Sequence, residues 1–177
     1  MRFQLKEDYE KQLKVEDITL LSTEEAEKLP KDILKFSNYW WLRSPGRWQD
    51  SVTLVSIDGG FGDYGLIIDK SDFGVRPALI VSNLNSLNLN LYDKIEFYGV
   101  KWIKISGNML LCNDTTFGNH CFDPSDYWNW NAPQYTYENS DIYKYIHDKW
   151  KEIKKSAYTP VPNSVYDFFK DKYERGL

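Results

Sequence analysis

YWWLRSPG at residues 39–46 and FGVRPAL at 73–79 each set an arginine, Arg43 and Arg76, inside an apolar, strand-like run. A charge in such a place is costly unless buried acceptors need it. One reading is architectural: each guanidinium lies at the edge of the core and bonds backbone carbonyls or a carboxylate, fixing the turns around Pro45 and Asp58. The other is functional, with the two arginines forming a clamp for an anion or carboxylate.

The surroundings of both stretches are rich in β signals. SVTLVSI at 51–57, LIID at 66–69 and GVRPALIV at 74–81 read as strands, and DGGFGDYG at 58–65 reads as turn chemistry. The glycines there mark chain reversals, because a phosphate-binding loop would open directly into a helix and LIID follows instead. Upstream, Phe3 and Leu5 suggest a short strand followed by a helix, and VEDITLL at 15–21 predicts another strand. Ser22 and Glu25 are spaced as a capping box, with Pro30 closing the helix. Downstream, NLNSLNLNLY at 83–92 fits a half-buried strand or a tether over the core. DKIEFYG, VKWIKIS and GNMLLCN form a predicted meander. A helix starts at Ser140, with Ile142, Tyr145, Ile146, Trp150 and Ile153 on one face, and TPVPN separates it from a short final helix.

With 177 residues the chain fits one domain with a sizeable core. Its 42% hydrophobic and 27% charged residues exclude a disordered composition. A net charge of −4 without a basic stripe disfavours direct nucleic-acid binding and suits a basic groove on another protein. No stretch has the apolar length to span a bilayer, the start does not read as a secretory signal, and two cysteines imply no disulfide framework. The expected location is the cytoplasm, and no cofactor is implied.

ITLLSTEEAEKL, YWWLRSPG, VSIDGG and GVRPALIV resemble, in that order, the second half of a bacterial and prophage domain-of-unknown-function family marked by WWLRSPG and GVRPAL motifs. That family's fold resembles the C-type-lectin and formylglycine-generating-enzyme group. YDKIEFYGVKWIKISGNMLLCN and SDIYKYIHDKWKEI are similar to the family's beginning, which here comes second. The resemblance therefore implies a circular permutation, with residues 15–81 as the later half, 83–92 as the join, 91–153 as the earlier half and 155–177 as a C-terminal helical extension. A remnant of two tandem domains would give the same order. The fold class expected is α+β: a single domain, 1–177, with a twisted, mainly antiparallel sheet, two or three helices and long aromatic loops, C-type-lectin-like.

Candidates for chemistry are few. Cys112, His120 and Cys121, with Asp114 and Asp123 nearby, have metal-ligand types but no CxxC spacing. Adjacent His and Cys ligands would strain a tetrahedral site. A nucleophile pair from Cys121 and His120 is disfavoured because neighbouring side chains diverge. Neither enzyme-branch cysteine chemistry nor a lectin calcium motif carries over from the fold group. The aromatic content of 16% instead points to recognition. Tyr127, Trp128, Trp130, Tyr135 and Tyr137 follow no helical or strand period, so they form an exposed binding loop or fold inward to close the core. Arg47 and Trp48 are a second candidate patch. The expectation is a non-enzymatic protein-binding module, encoded by a phage or mobile element, that inhibits a host protein. A nucleic-acid-processing enzyme such as a CRISPR nuclease, with its basic channels, is one such target. The alternatives are a glycan or small-ligand module and a metal-dependent enzyme.

Overall fold

A computed structural model of the chain describes residues 6–46, 51–67, 71–124 and 136–157. The fold is α+β, with α1 (Lys6–Gln12), β1 (Val15–Thr19), α2 (Thr23–Glu27), α3 (Lys31–Leu34), β2 (Trp40–Pro45), β3 (Ser51–Val55), β4 (Phe61–Ile67), β5 (Ala78–Val81), β6 (Lys94–Phe97), β7 (Val100–Ser106), β8 (Met109–Cys112) and α4 (Asp141–Ala157). The strands form two antiparallel sheets, where one twisted sheet was expected. Five strands run in the order β1-β5-β8-β7-β6 and three in the order β2-β3-β4.

The five-stranded sheet is buried on both faces, which explains why ALIV and MLLC are continuous apolar runs instead of alternating ones. On one face Leu79, Val81, Trp102, Leu110 and Cys112 pack with Ile142, Ile146 and Trp150 of α4. On the other, Ala78, Ile103, Ile105, Met109 and Leu111 pack with Ala26 and Leu29 beside α2 and α3 and with Trp40 and Leu42 of β2. Trp41 joins the first group, so β2 sends successive side chains into both layers. The interior is heavily aromatic: Trp150 meets Trp102 edge-on at 5.9 Å between ring centroids.

The meander β6–β8 forms as its turn residues predict, Ile95 pairing with Trp102 and Ile103 with Leu111. The capping box is present, Ser22 Oγ accepting from the Glu25 amide at 3.1 Å while Glu25 accepts from the Ser22 amide at 2.8 Å. Three local expectations change. Pro30 does not close α2 but opens α3, a position that suits a residue with no N–H to donate. The turn after β3 is only Ser56 to Gly60, and β4 already begins at Phe61. Gly59, at φ +87°, makes that reversal, and a Cβ there would stand 3.0 Å from Lys31 Cγ. The Leu/Asn segment is the tether, not a strand: a 3₁₀ turn at Leu84–Ser86 buries Leu84 and Leu87 and leaves Leu91 exposed. The strand read at Phe3 and Leu5 and the final helix after TPVPN lie outside the described residues.

Candidate functional site

Arg76 is buried, and each of its three guanidinium nitrogens donates within the fold. Its Nε donates to the Cys112 carbonyl at 2.7 Å, one terminal nitrogen to the Ile33 carbonyl at 2.7 Å and the other to Asn113 Oδ1 at 3.2 Å. The rings of Phe36 and Trp40 lie 4.9 and 5.0 Å from its central carbon. Burial pulls the guanidinium down to about 10, so it stays charged at neutral pH. Arg43 donates to the Leu20 carbonyl at 2.7 Å and pairs with Glu25. Burial alone would raise the Glu25 carboxyl, but the Ser22 amide and Arg43 together hold it below its usual range. Both arginines thus reach further than the turns around Pro45 and Asp58. Asp58 holds its own turn, accepting from the Ser56 hydroxyl and from the Gly60 amide at 3.2 Å, and these bonds lower its pKa.

Tyr137 belongs to the interior and not to an exposed recognition surface. It is 8% exposed and its hydroxyl accepts from the Leu20 amide at 3.1 Å, a contact across 117 positions of sequence. Burial pushes its phenol up to about 12. Tyr127, Trp128, Trp130, Tyr135, Arg47 and Trp48 lie outside the described residues.

Cys112 is a core thiol at the end of β8, pushed up to about 12 by burial and therefore protonated at neutral pH. His120 and Cys121 behave differently. A ring nitrogen of His120, the Cys121 thiol and an Asp141 carboxylate oxygen all lie within 4.8 Å of one another, each residue partly exposed. Adjacent side chains here converge, contrary to the divergence expected of them, because residues 120 and 121 leave the sheet in an irregular segment. Its backbone is held from several directions. The His120 amide donates to the Phe73 carbonyl at 3.0 Å, and Trp41 Nε1 donates to the His120 carbonyl at 2.9 Å. The Ile142 amide, in the first turn of α4, donates to the Phe122 carbonyl at 3.0 Å. The imidazole stacks on Tyr145 at 4.1 Å and 9°, and its Nε2 lies 2.7 Å from Asp141 Oδ2.

A second feature is a surface recess of mixed apolar and charged lining. Tyr98 and Gly99 form the two-residue turn between β6 and β7, at φ 55° and 74°. Positive φ at both positions is a type I′ turn, which Asn-Gly fills cheaply and a bulky residue fills at a cost of roughly 1–2 kcal/mol. The conformation sets the Tyr98 ring against Trp150, 5.3 Å away and edge-on, and against Phe97. Tyr98, Gly99, Val100 and Ile153 then line a shallow recess of about 370 Å³, with Lys149 and Glu152 also contributing. The FYGV sequence carried this signal, a tyrosine where a hairpin turn favours asparagine.

Among known proteins, the curated sequences and the solved structures give no significant match. Residues 5–83 do match a family model described as a domain of unknown function, DUF6273. The matched span holds both arginine-bearing stretches and all of the three-stranded sheet, and it ends just after β5. Over residues 5–83, therefore, this chain is similar to an unknown-function domain family.

Proposed function

We propose that the chain is a non-enzymatic module that docks on a partner protein through aromatic residues, the recess beside Tyr98 forming one contact and Trp128 with Trp130 another. The observation that carries the reading is Tyr98 itself. A large aromatic residue occupies a left-handed position and stands partly exposed over a recess whose walls mix Val100 and Ile153 with Lys149 and Glu152. The arginines and the core thiol support it, because Arg43, Arg76 and Cys112 are already used inside the fold.

The finer reading follows from charge and sequence. With a net charge of −4, the module suits a partner with a basic groove, and a nuclease channel on a host protein is the class proposed for a mobile-element inhibitor. The permuted C-type-lectin-like architecture is part of the same proposal. It draws support from the end of the family match just past β5, which leaves β6–β8 beyond the matched span, as a permuted order would.

The test uses the full chain as bait in the native host, followed by calorimetric titration of the purified partner. Tyr98→Asn keeps a residue suited to the turn and removes the ring, and Trp128→Ala with Trp130→Ala removes those two indoles. A stoichiometric complex weakened about tenfold or more by either change supports docking through these surfaces. A partner that binds all variants equally, or a sugar that alone changes tryptophan fluorescence, would sink it.

A further inference from the structure

We propose that His120, Cys121 and Asp141 bind a divalent transition-metal ion of the zinc class, with the fourth coordination position open to water. Nitrogen, thiolate and carboxylate donors are the set zinc takes, and the mixture of hard and soft atoms disfavours calcium or magnesium. Three protein ligands that remain partly exposed give the open arrangement, not the closed four-ligand one.

The distances suit this ion after a small adjustment. Bonds of roughly 2.0–2.3 Å in a tetrahedron place ligand atoms roughly 3.3–3.7 Å apart. The three donor atoms lie within 4.8 Å of one another, so even a gap at that limit needs to close by only about an ångström on binding. The 2.7 Å contact between His120 Nε2 and Asp141 Oδ2 opens slightly if that nitrogen ligates, the metal replacing the shared proton. If the other ring nitrogen ligates, the same contact becomes the outer bond that orients a metal-bound imidazole, with the second carboxylate oxygen left for the ion.

The frame around the donors is already ordered, which limits the entropy lost on binding. His120 is held through its amide, its carbonyl and its ring, by Phe73, Trp41 and Tyr145. Tyr145 lies four positions after Asp141 on α4, so the helix presents the stacking ring and the carboxylate on one face. The Tyr145 hydroxyl donates to the Phe117 carbonyl at 2.7 Å, fixing that ring in turn.

The site lies apart from the docking recess in residues and chemistry, so either proposal can fail without the other. The experiment strips the full chain with a chelator under reducing conditions and titrates it with Co²⁺, a spectroscopic stand-in for Zn²⁺. The expected result is a thiolate-to-cobalt charge-transfer band at one ion per chain, removed by added Zn²⁺. Cys121→Ser should abolish the band, and His120→Gln and Asp141→Asn should each weaken binding about tenfold or more. Cys112→Ala, removing the buried thiol, should leave it intact, with far-UV circular dichroism showing which variants remain folded. Because the Asp141 side chain is partly exposed at the start of α4, its variant keeps the test decisive if a loop variant misfolds. Absence of the band in the reduced wild type, or a band that survives Cys121→Ser in folded protein, overturns the proposal.

Discussion

Arg76→Lys isolates what the buried guanidinium does, because it keeps the positive charge and discards the fork. Arg76 supplies three acceptors at once, the Cys112 and Ile33 carbonyls and Asn113 Oδ1. A single ammonium on a shorter, non-planar head can serve one of these directions well. The two acceptors left without a donor cost about 1–3 kcal/mol each, so a loss of roughly 2–6 kcal/mol is expected. That is a large share of a typical domain stability of about 5–15 kcal/mol. For a chain of this length each kcal/mol corresponds to about 2–4 °C, so the melting temperature should fall by roughly 4–24 °C. Urea unfolding followed by tryptophan fluorescence should show a lower midpoint with an unchanged slope, because the surface exposed on unfolding is the same. A variant within about 0.5 kcal/mol of the wild type, the range of an ordinary surface substitution, would refute the structural assignment. It would return Arg76 to the role of an anion clamp, particularly if the same variant lost affinity for a carboxylate ligand.

Two further outcomes follow from the same geometry. Glu25 has its folded pKa depressed, so its contribution to stability is present above the unfolded value of 4.5 and is lost as pH falls through the lower folded value; Glu25→Gln should flatten that part of the acid limb in pH-dependent unfolding, and an unaltered limb would count against the Arg43 pairing. Residues 5–83 expressed alone should fail to unfold cooperatively and should show poorly dispersed amide resonances, whereas a cooperative transition in that fragment would place a domain boundary at residue 83.

Local rules carried much of the fold. The Ser22–Glu25 box, the meander of β6–β8 and the face of α4 were each legible because their determinants lie within one turn or one hairpin of each other. What was not legible is non-local. No spacing rule connects Arg76 to Ile33 or Tyr137 to Leu20, so the depth of Arg76 and the burial of Tyr137 emerge only when the layers close. The second sheet was hidden because the pairing of β4 with β3 carries the strand through Phe61 and Gly62, residues whose local chemistry reads as turn. The candidate metal cluster was half legible. Its residue types stand out at 120 and 121, but Asp141 enters through the packing of α4, and the rule that neighbouring side chains diverge holds for extended strands and not for an irregular segment.

The contacts that cross residue 83 decide where function should be sought. The family-like span supplies β1 and β5 to the five-stranded sheet, and the free side of β5 pairs with β8 from beyond it. Arg76 reaches across to Cys112 and Asn113, Trp41 to His120, and the Leu20 amide to Tyr137. Each of these crossings satisfies a buried polar group, so separating the segments would leave donors and acceptors exposed along with half of both apolar layers. The two segments therefore close one core between them. The donors of the candidate metal cluster come from beyond residue 83, yet Trp41, Phe73 and Gly74 from within the family-like span hold the backbone that carries them. A chemistry confined to either segment would lack its frame, and activity or binding should be assayed only on a chain that contains both.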